Sequence, residues 1–259
     1  MFLNDLVKIY YINLDRATDR RALMEEQSKR LGLSVTRVAA TTAEALDPDL
    51  LSQYDVALRR KEYQYDLRPA EHACIQSHLR ALKMFLSTEY QYAIVLEDDS
   101  RLTDGFVEGV EYLITKTSGW QIMRLQSELR KYYTLLGPRD GAPCEIVLPK
   151  KPMCASTALL YTRQGAERLL AEFEHYASAF DTHMGRSALL KKIPLGATLP
   201  NLVDLFETSE STIGDRSDMK RQNKNSFMQY LRHRVMVVRL SVMKLVMRSL
   251  MRRILRILD

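Results

Sequence analysis

An α/β fold is predicted by three features of this 259-residue chain. Residues 7–39 pass from an apolar, β-branched run through a charged helical stretch to a second apolar run, an alternation that favours a parallel sheet. Residues 92–101, YAIVLEDDSR, carry a short buried-strand pattern that ends abruptly in Glu97, Asp98 and Asp99. Residues 155–161 form another apolar run, and a helical pattern begins at once with Arg163.

Taken in order, residues 7–14, VKIYYINL, read as the first strand, which Asn13, Asp15 and Arg16 close with polar groups. A helix over residues 19–31 turns Arg20, Arg21, Glu25, Glu26, Lys29 and Arg30 outward, and Gly32 stops it. Residues 35–39 give the second strand. Asp47-Pro48 and the polar, tyrosine-bearing run 53–66 read as a loop with at most short structure, and long loops of this kind often act as binding lids. Residues 69–86 form the strongest helix, with Pro69 at a first helical position and Glu71 at the positive end of the dipole. Glu71, Cys74, Ile75, His78, Leu82 and Phe85 share its inward stripe, so an acid and a histidine sit among apolar neighbours. Beyond the acidic strand, a helix is expected over 104–116, a strand over 120–125, an irregular stretch over 130–149, a strand over 155–161 and a helix over 163–173. Phe180-Asp181-Thr182-His183 then place an acid and a histidine two residues apart, and residues 194–206 alternate weakly. There is no P-loop, GxGxxG or GxSxG, so nucleotide binding through those phosphate cradles is not indicated.

The three acids emerge at the carboxyl end of a strand, the edge at which open α/β sheets bind ligands. Adjacent carboxylates repel unless a cation or hydrogen bonds compensate them, and Mg²⁺ or Mn²⁺ prefers such oxygen ligands together with substrate phosphates. Alternate strand residues share a face, so Glu97 and Asp99 could chelate together while Asp98 points elsewhere. A solvated acidic turn is the plainer alternative. Arg16, Arg20 and Arg21 lie just beyond the first strand at the same edge, where guanidinium groups match phosphate in geometry and charge. Solvated arginines on a first helical turn are the alternative there, as a core imidazole bonded to a carbonyl is for His78 and a helix N-cap is for Asp181.

Hydrophobic content of 46% and charged content of 27% are ordinary for a globular protein. Cys74, Cys144 and Cys154 are odd in number, which favours a reducing, cytoplasmic compartment, and the first residues do not read as a signal peptide. Residues 227–259 hold eight Lys and Arg against one acid, or +7, which leaves −1 of the net +6 for residues 1–226. The pI of about 9.2 therefore belongs to the tail, and a body-wide nucleic-acid surface is not expected. As a helix, the tail would gather Met236, Leu240, Met243, Met247, Leu250, Met251, Ile254 and Leu258 on one face, with every Lys and Arg outside it. No segment is apolar for the roughly 18 residues a spanning helix needs, so the tail is expected to lie on the inner surface of the cytoplasmic membrane through that Met and Leu face. The same spacing fits a heptad seam, through which the tail would dimerise or pack on the body.

Four stretches resemble glycosyltransferase family 25, the lipooligosaccharide-type galactosyltransferases related to collagen galactosyltransferases. INLDRATDRR (residues 12–21) resembles the family's opening strand and arginine-rich turn, RPAEHACIQSHLRAL (68–82) its Gly-Glu-Ile-Gly-Cys-x-x-Ser-His helix, and YAIVLEDDSR its Ile-Leu-Glu-Asp-Asp motif. STALLYTRQGAERLL with FDTHM after it resembles the later strand and helix and their aspartate. The chain departs at residues 70–74, where Ala-Glu-His-Ala-Cys loses both glycines and introduces His72. The resemblance implies a GT-A-type, Rossmann-like nucleotide-sugar-binding domain over residues 1–226 with a helical tail over 227–259. It implies inverting, metal-dependent transfer of a hexose from UDP-galactose to a lipooligosaccharide, lipopolysaccharide or other glycan or glycolipid acceptor. Asn13, Asp15, Arg16, Arg20 and His78 would face the donor. Glu97, Asp98 and Asp99, with His183, would hold Mn²⁺ or Mg²⁺, and Asp181, or failing it Glu71, would be the general base. The alternative is a catalytically weak sugar-nucleotide-binding subunit that scaffolds a membrane glycan-assembly complex.

Overall fold

In a computed structural model, which describes residues 2–62, 66–127, 132–137, 141–149, 156–206 and 227–257, the expected alternation opens the chain. Helix α1 (Phe2–Leu6) leads into β1 (Val7–Asn13), followed by α2 (Thr18–Arg30) and β2 (Val35–Ala39). Gly32 ends α2 at φ 63°, a left-handed conformation that a residue with a Cβ adopts only at a cost. The stretch read as a loop holds two short helices, α3 (Pro48–Ser52) and α4 (Val56–Glu62), and Asp47 caps the first by accepting the Asp49 N–H at 3.0 Å. Helix α5 (Pro69–Leu86) has the expected bounds and leads into β3 (Tyr92–Glu97), β4 (Ser100–Leu102), α6 (Phe106–Lys116), β5 (Thr117–Ser118) and β6 (Ile122–Arg124).

Two strands, β7 (Tyr132–Leu136) and β8 (Glu145–Pro149), pair antiparallel where an irregular stretch was expected. Their aromatic and β-branched residues pair as a hairpin, and the turn signals at Gly137, Pro138, Asp140 and Gly141 fall between the strands, with residues 138–140 outside the described set. After them come β9 (Ala158–Thr162), α7 (Arg163–Glu172), α8 (Phe180–Leu190), β10 (Leu195–Leu199), β11 (Val203–Leu205), α9 (Phe227–Ile254) and β12 (Arg256–Ile257).

The main sheet runs β2-β1-β3-β9-β6-β10-β8-β7. It is mixed: β1 is parallel to β2 and β3, and β6 to β10, while β9 lies antiparallel to both β3 and β6. Alternation along each strand divides its apolar residues between two cores. Val7, Ile9, Tyr11, Ile94 and Leu96 face α1, α2, α6 and α9, whereas Tyr10, Ile12, Ala93 and Val95 face α5, α7 and α8. The result is a three-layer sandwich with β3 buried near its middle.

The tail helix packs on the body through the face expected to meet lipid. Leu240, Met247 and Met251 are buried and Met243, Leu250 and Ile254 half-buried, with Met247 and Met251 in the core cluster of β1 and α6. The side chains of Met236 and Leu258 lie outside the described residues. Arg248 stacks 4.4 Å from the centre of the Tyr133 ring, and β12 pairs antiparallel with β5. At Gly119 a Cβ would meet the Ile254 carbonyl oxygen at 2.1 Å, so the docked end of α9 requires the glycine. Met251→Ala is accordingly expected to destabilise the whole fold by about 2 to 5 kcal/mol in chemical denaturation, against almost no effect for a tail that stands free. Among the described residues no helix is long and apolar enough to cross a membrane.

Candidate active site

Parallel pairing sets the carboxyl ends of β1 and β3 side by side, with Ile12 opposite Glu97. Because β9 runs the other way, the residues that precede it, Ser156 and Thr157, reach the same edge, and β6 ends there with Arg124. Helix α5 crosses below with Glu71, Cys74 and His78 on its buried face, and the first turn of α8 brings Asp181. Chain segments far apart in sequence thus converge on the acids of residues 97–99.

The three acids have three different environments. Glu97 Oε1 accepts hydrogen bonds from Ser156 Oγ at 2.5 Å and from His78 Nε2 at 3.2 Å. Burial pushes its carboxyl pKa up, but the hydrogen bond and charge of His78 and the Ser156 hydroxyl together outweigh this and hold it below the ordinary value. Asp98 turns the other way, accepting from Asn13 Nδ2 at 2.8 Å and pairing with Arg20 at 3.1 Å. Asp99 Oδ1 is buried with no hydrogen-bond partner among the described residues. Burial first, and then the charges of Glu97 and Asp98, push its pKa up to about 6.

Asp98, expected to share a cation with its neighbours, has both oxygens hydrogen-bonded by groups from β1 and α2. Asn13 and Arg20, expected to face the donor, are those groups. Asn13 is 1% exposed and also bonds the Ala17 carbonyl, while its Oδ1 accepts from Arg37 Nε at 3.0 Å. Asp15 pairs with Arg37 and is exposed, as is Arg16. Arg37, a residue of β2 that sequence reasoning passed over, thus ties the Asn13 and Asp15 turn together.

On the opposite side, His78 is buried and stacks on Phe180, with ring centres 4.2 Å apart. That stack joins the acidic strand to the turn holding Asp181. Asp181 is half-buried; its Oδ1 accepts from the Thr182 N–H at 2.5 Å and the Thr182 hydroxyl at 3.1 Å. The N-cap of α8 is Ala179, so Asp181 sits inside the first turn and the expected cap role does not apply. Glu71 is 2% exposed and its Oε2 accepts the Arg68 N–H at 2.9 Å, the reciprocal bond of a helix start. His183 does not join the acids: its Nε2 bonds the Glu172 carbonyl at 2.8 Å, its ring packs on Phe173, and burial lowers its pKa.

Cys74, His78 and Glu97 each offer a ligand atom within 4.8 Å of one another; the i, i+4 spacing on α5 aligns the first two, and the packing of α5 on β3 brings in the third. Thiolate and imidazole are donors suited to zinc, and burial, and then the charges of Glu97, Asp181 and Glu71, push the Cys74 pKa well up. A hard divalent cation fits the acids better. Asp99 Oδ1 has no hydrogen-bond partner among the described residues, and burial together with the neighbouring carboxylates raises the pKa of its carboxyl.

A family model described as Glycosyltransferase family 25 (LPS biosynthesis protein) matches residues 6–137, which carry β1, α5 and the acidic strand. A protein of Anopheles gambiae named Glycosyltransferase 25 family member is 28% identical over 205 residues. The match covers 70% of this chain and 33% of that protein, so the chain spans about a third of its relative's length. The apo crystal structure of mouse xyloside xylosyltransferase 1 aligns over 73% of this chain and 71% of its own, at 12% identity and a TM-score of 0.36.

Proposed function

We propose that this chain, which belongs to glycosyltransferase family 25, is an inverting hexosyltransferase of GT-A type that moves galactose from UDP-galactose onto a lipooligosaccharide, lipopolysaccharide or other glycan acceptor. The observation that carries the reading is the edge itself: a buried Asp99 oxygen with no hydrogen-bond partner among the described residues, beside a Glu97 held by His78 and Ser156, with the Asp181 turn stacked on the same histidine. The description of the matched family as an LPS biosynthesis protein supports the acceptor class. Acting on a lipid-linked acceptor, the enzyme would lie peripherally on the inner face of the cytoplasmic membrane.

In single displacement the acceptor hydroxyl attacks the anomeric carbon as UDP leaves, and its proton must go to a base. Asp181 is the base in this reading, because its side chain is half-buried, lies inside the first turn of α8 and is not the cap. Glu97 and Asp99 would hold Mn²⁺ or Mg²⁺, which supplies charge neutralisation at the leaving diphosphate. In this reading Arg16, exposed beyond β1, would meet the diphosphate, whereas Arg20 would have to leave Asp98 to do so.

That last contact favours a second reading. With Arg20 and Asn13 spent on Asp98, the chain would bind a sugar nucleotide weakly and turn it over slowly, as a scaffolding subunit. Incubation with a panel of UDP-sugars, Mn²⁺ and a truncated glycan acceptor, reading UDP release, separates the two. Acceptor-dependent release with UDP-galactose is expected. Donor binding by calorimetry without release from any sugar would support the scaffold and overturn the transferase.

A further inference from the structure

Among its described side chains, the tail helix α9 is apolar on two sides, and only one of them packs on the body. Opposite the docked face, Val235, Val238, Val242, Leu245 and Val246 are exposed by 62, 63, 55, 54 and 42%. Their spacing of three, four, three and one residues draws them into a single stripe along the helix. A contiguous exposed apolar stripe marks an interaction surface. Arg239, Arg252 and Arg253 are exposed on or beside the same stripe, and no acid occurs between residues 227 and 258.

We propose that this valine stripe, and not the Met and Leu face, is the surface by which the protein lies on an anionic lipid bilayer. The inference deepens the peripheral placement proposed above and rests on it, but it is independent of the transfer chemistry. A helix lying in the plane of the interface sinks a shallow apolar stripe among the acyl chains and sets basic side chains against the headgroups. Self-association through the stripe is disfavoured by charge: the arginines of two facing copies meet with no acid on the helix to pair them, whereas anionic headgroups supply the missing charge. The helix also packs against α8, which carries Asp181, so the stripe lies on an element in contact with the helix that bears the candidate base.

Flotation of the full chain with vesicles of phosphatidylglycerol and phosphatidylethanolamine, against pure phosphatidylcholine, tests the proposal. The wild type is expected to float with the anionic vesicles at low salt and to be released by high salt. The triple variant Val238→Asp, Val242→Asp, Leu245→Asp should lower the bound fraction at least about tenfold while leaving UDP release with a soluble acceptor unchanged. Arg239→Gln with Arg252→Gln and Arg253→Gln, which leaves the stripe intact, should remove the preference for anionic lipid. Truncation before α9 is no substitute, because it would open the core that Met247 and Met251 fill. A wild type that stays with the soluble fraction overturns both the placement and the face. Equal flotation of wild type and the stripe variant keeps the placement and overturns the face. Conversion of a dimer to a monomer by the stripe variant, without lipid binding, assigns the stripe to a second copy.

Discussion

Asp99→Asn is expected to abolish cation-dependent sugar transfer while making the protein more stable. The two effects have one cause. The Asp99 carboxyl is buried and faces the charges of Glu97 and Asp98, which raises its pKa from 3.8 to about 6. An acid whose folded pKa is raised stabilises the fold least when ionised: the penalty is absent below about pH 4, grows as pH rises through 6 and is complete near pH 7. Asparagine mimics the protonated form at every pH, so the variant should gain on the order of 2 kcal/mol at pH 7 and nothing below about pH 4. The same negative charge would hold the divalent cation that neutralises the departing diphosphate, so turnover should fall to background. UDP release with and without EDTA measures the first effect, and thermal melts from pH 4 to 7 the second. Transfer near the wild-type rate and insensitive to EDTA would remove the cation assignment, and a variant whose melting temperature falls at pH 7 would remove the electrostatic account of Asp99.

What was legible in the sequence follows from how local each signal is. The acidic strand and α5 were readable because the information lies within each: an apolar run stops at three acids, and Pro69 with Glu71 opens a helix whose bounds match those observed. The partners of the acids were not readable, because Ser156, Asn13 and Arg20 reach them from segments 59 to 85 residues away, brought together only by the order β1-β3-β9. That order includes an antiparallel β9, which no feature of its own residues announces. The tail shows the same limit differently. Helical periodicity finds an apolar face but does not say what covers it, and α9 has two such faces, of which the body takes the one with the larger side chains. In β7 and β8 the turn residues between the strands outweighed the strands themselves, because glycine and proline mark a connection without marking what they connect.

Asp181→Asn is expected to lower kcat by about 10² to 10⁴ with little change in the donor KM, the signature of a group that acts only in the transition state. The substitution isolates charge from structure. Asp181 Oδ1 accepts from the Thr182 N–H and hydroxyl, and an asparagine oxygen can accept both, so the first turn of α8 should survive and the melting temperature should hold. Removal of a cap would read differently, but the cap here is Ala179. Glu71→Gln is the matched comparison, because the amide oxygen can still accept the Arg68 N–H while the carboxylate is lost. Glu71 is 2% exposed and committed to the start of α5, so this variant should keep both its stability and its kcat. Loss of kcat in Glu71→Gln with retention in Asp181→Asn would move the base to α5. Loss in neither would mean that the proton leaves through a group outside both helices, and loss in both would show that each carboxylate contributes to turnover.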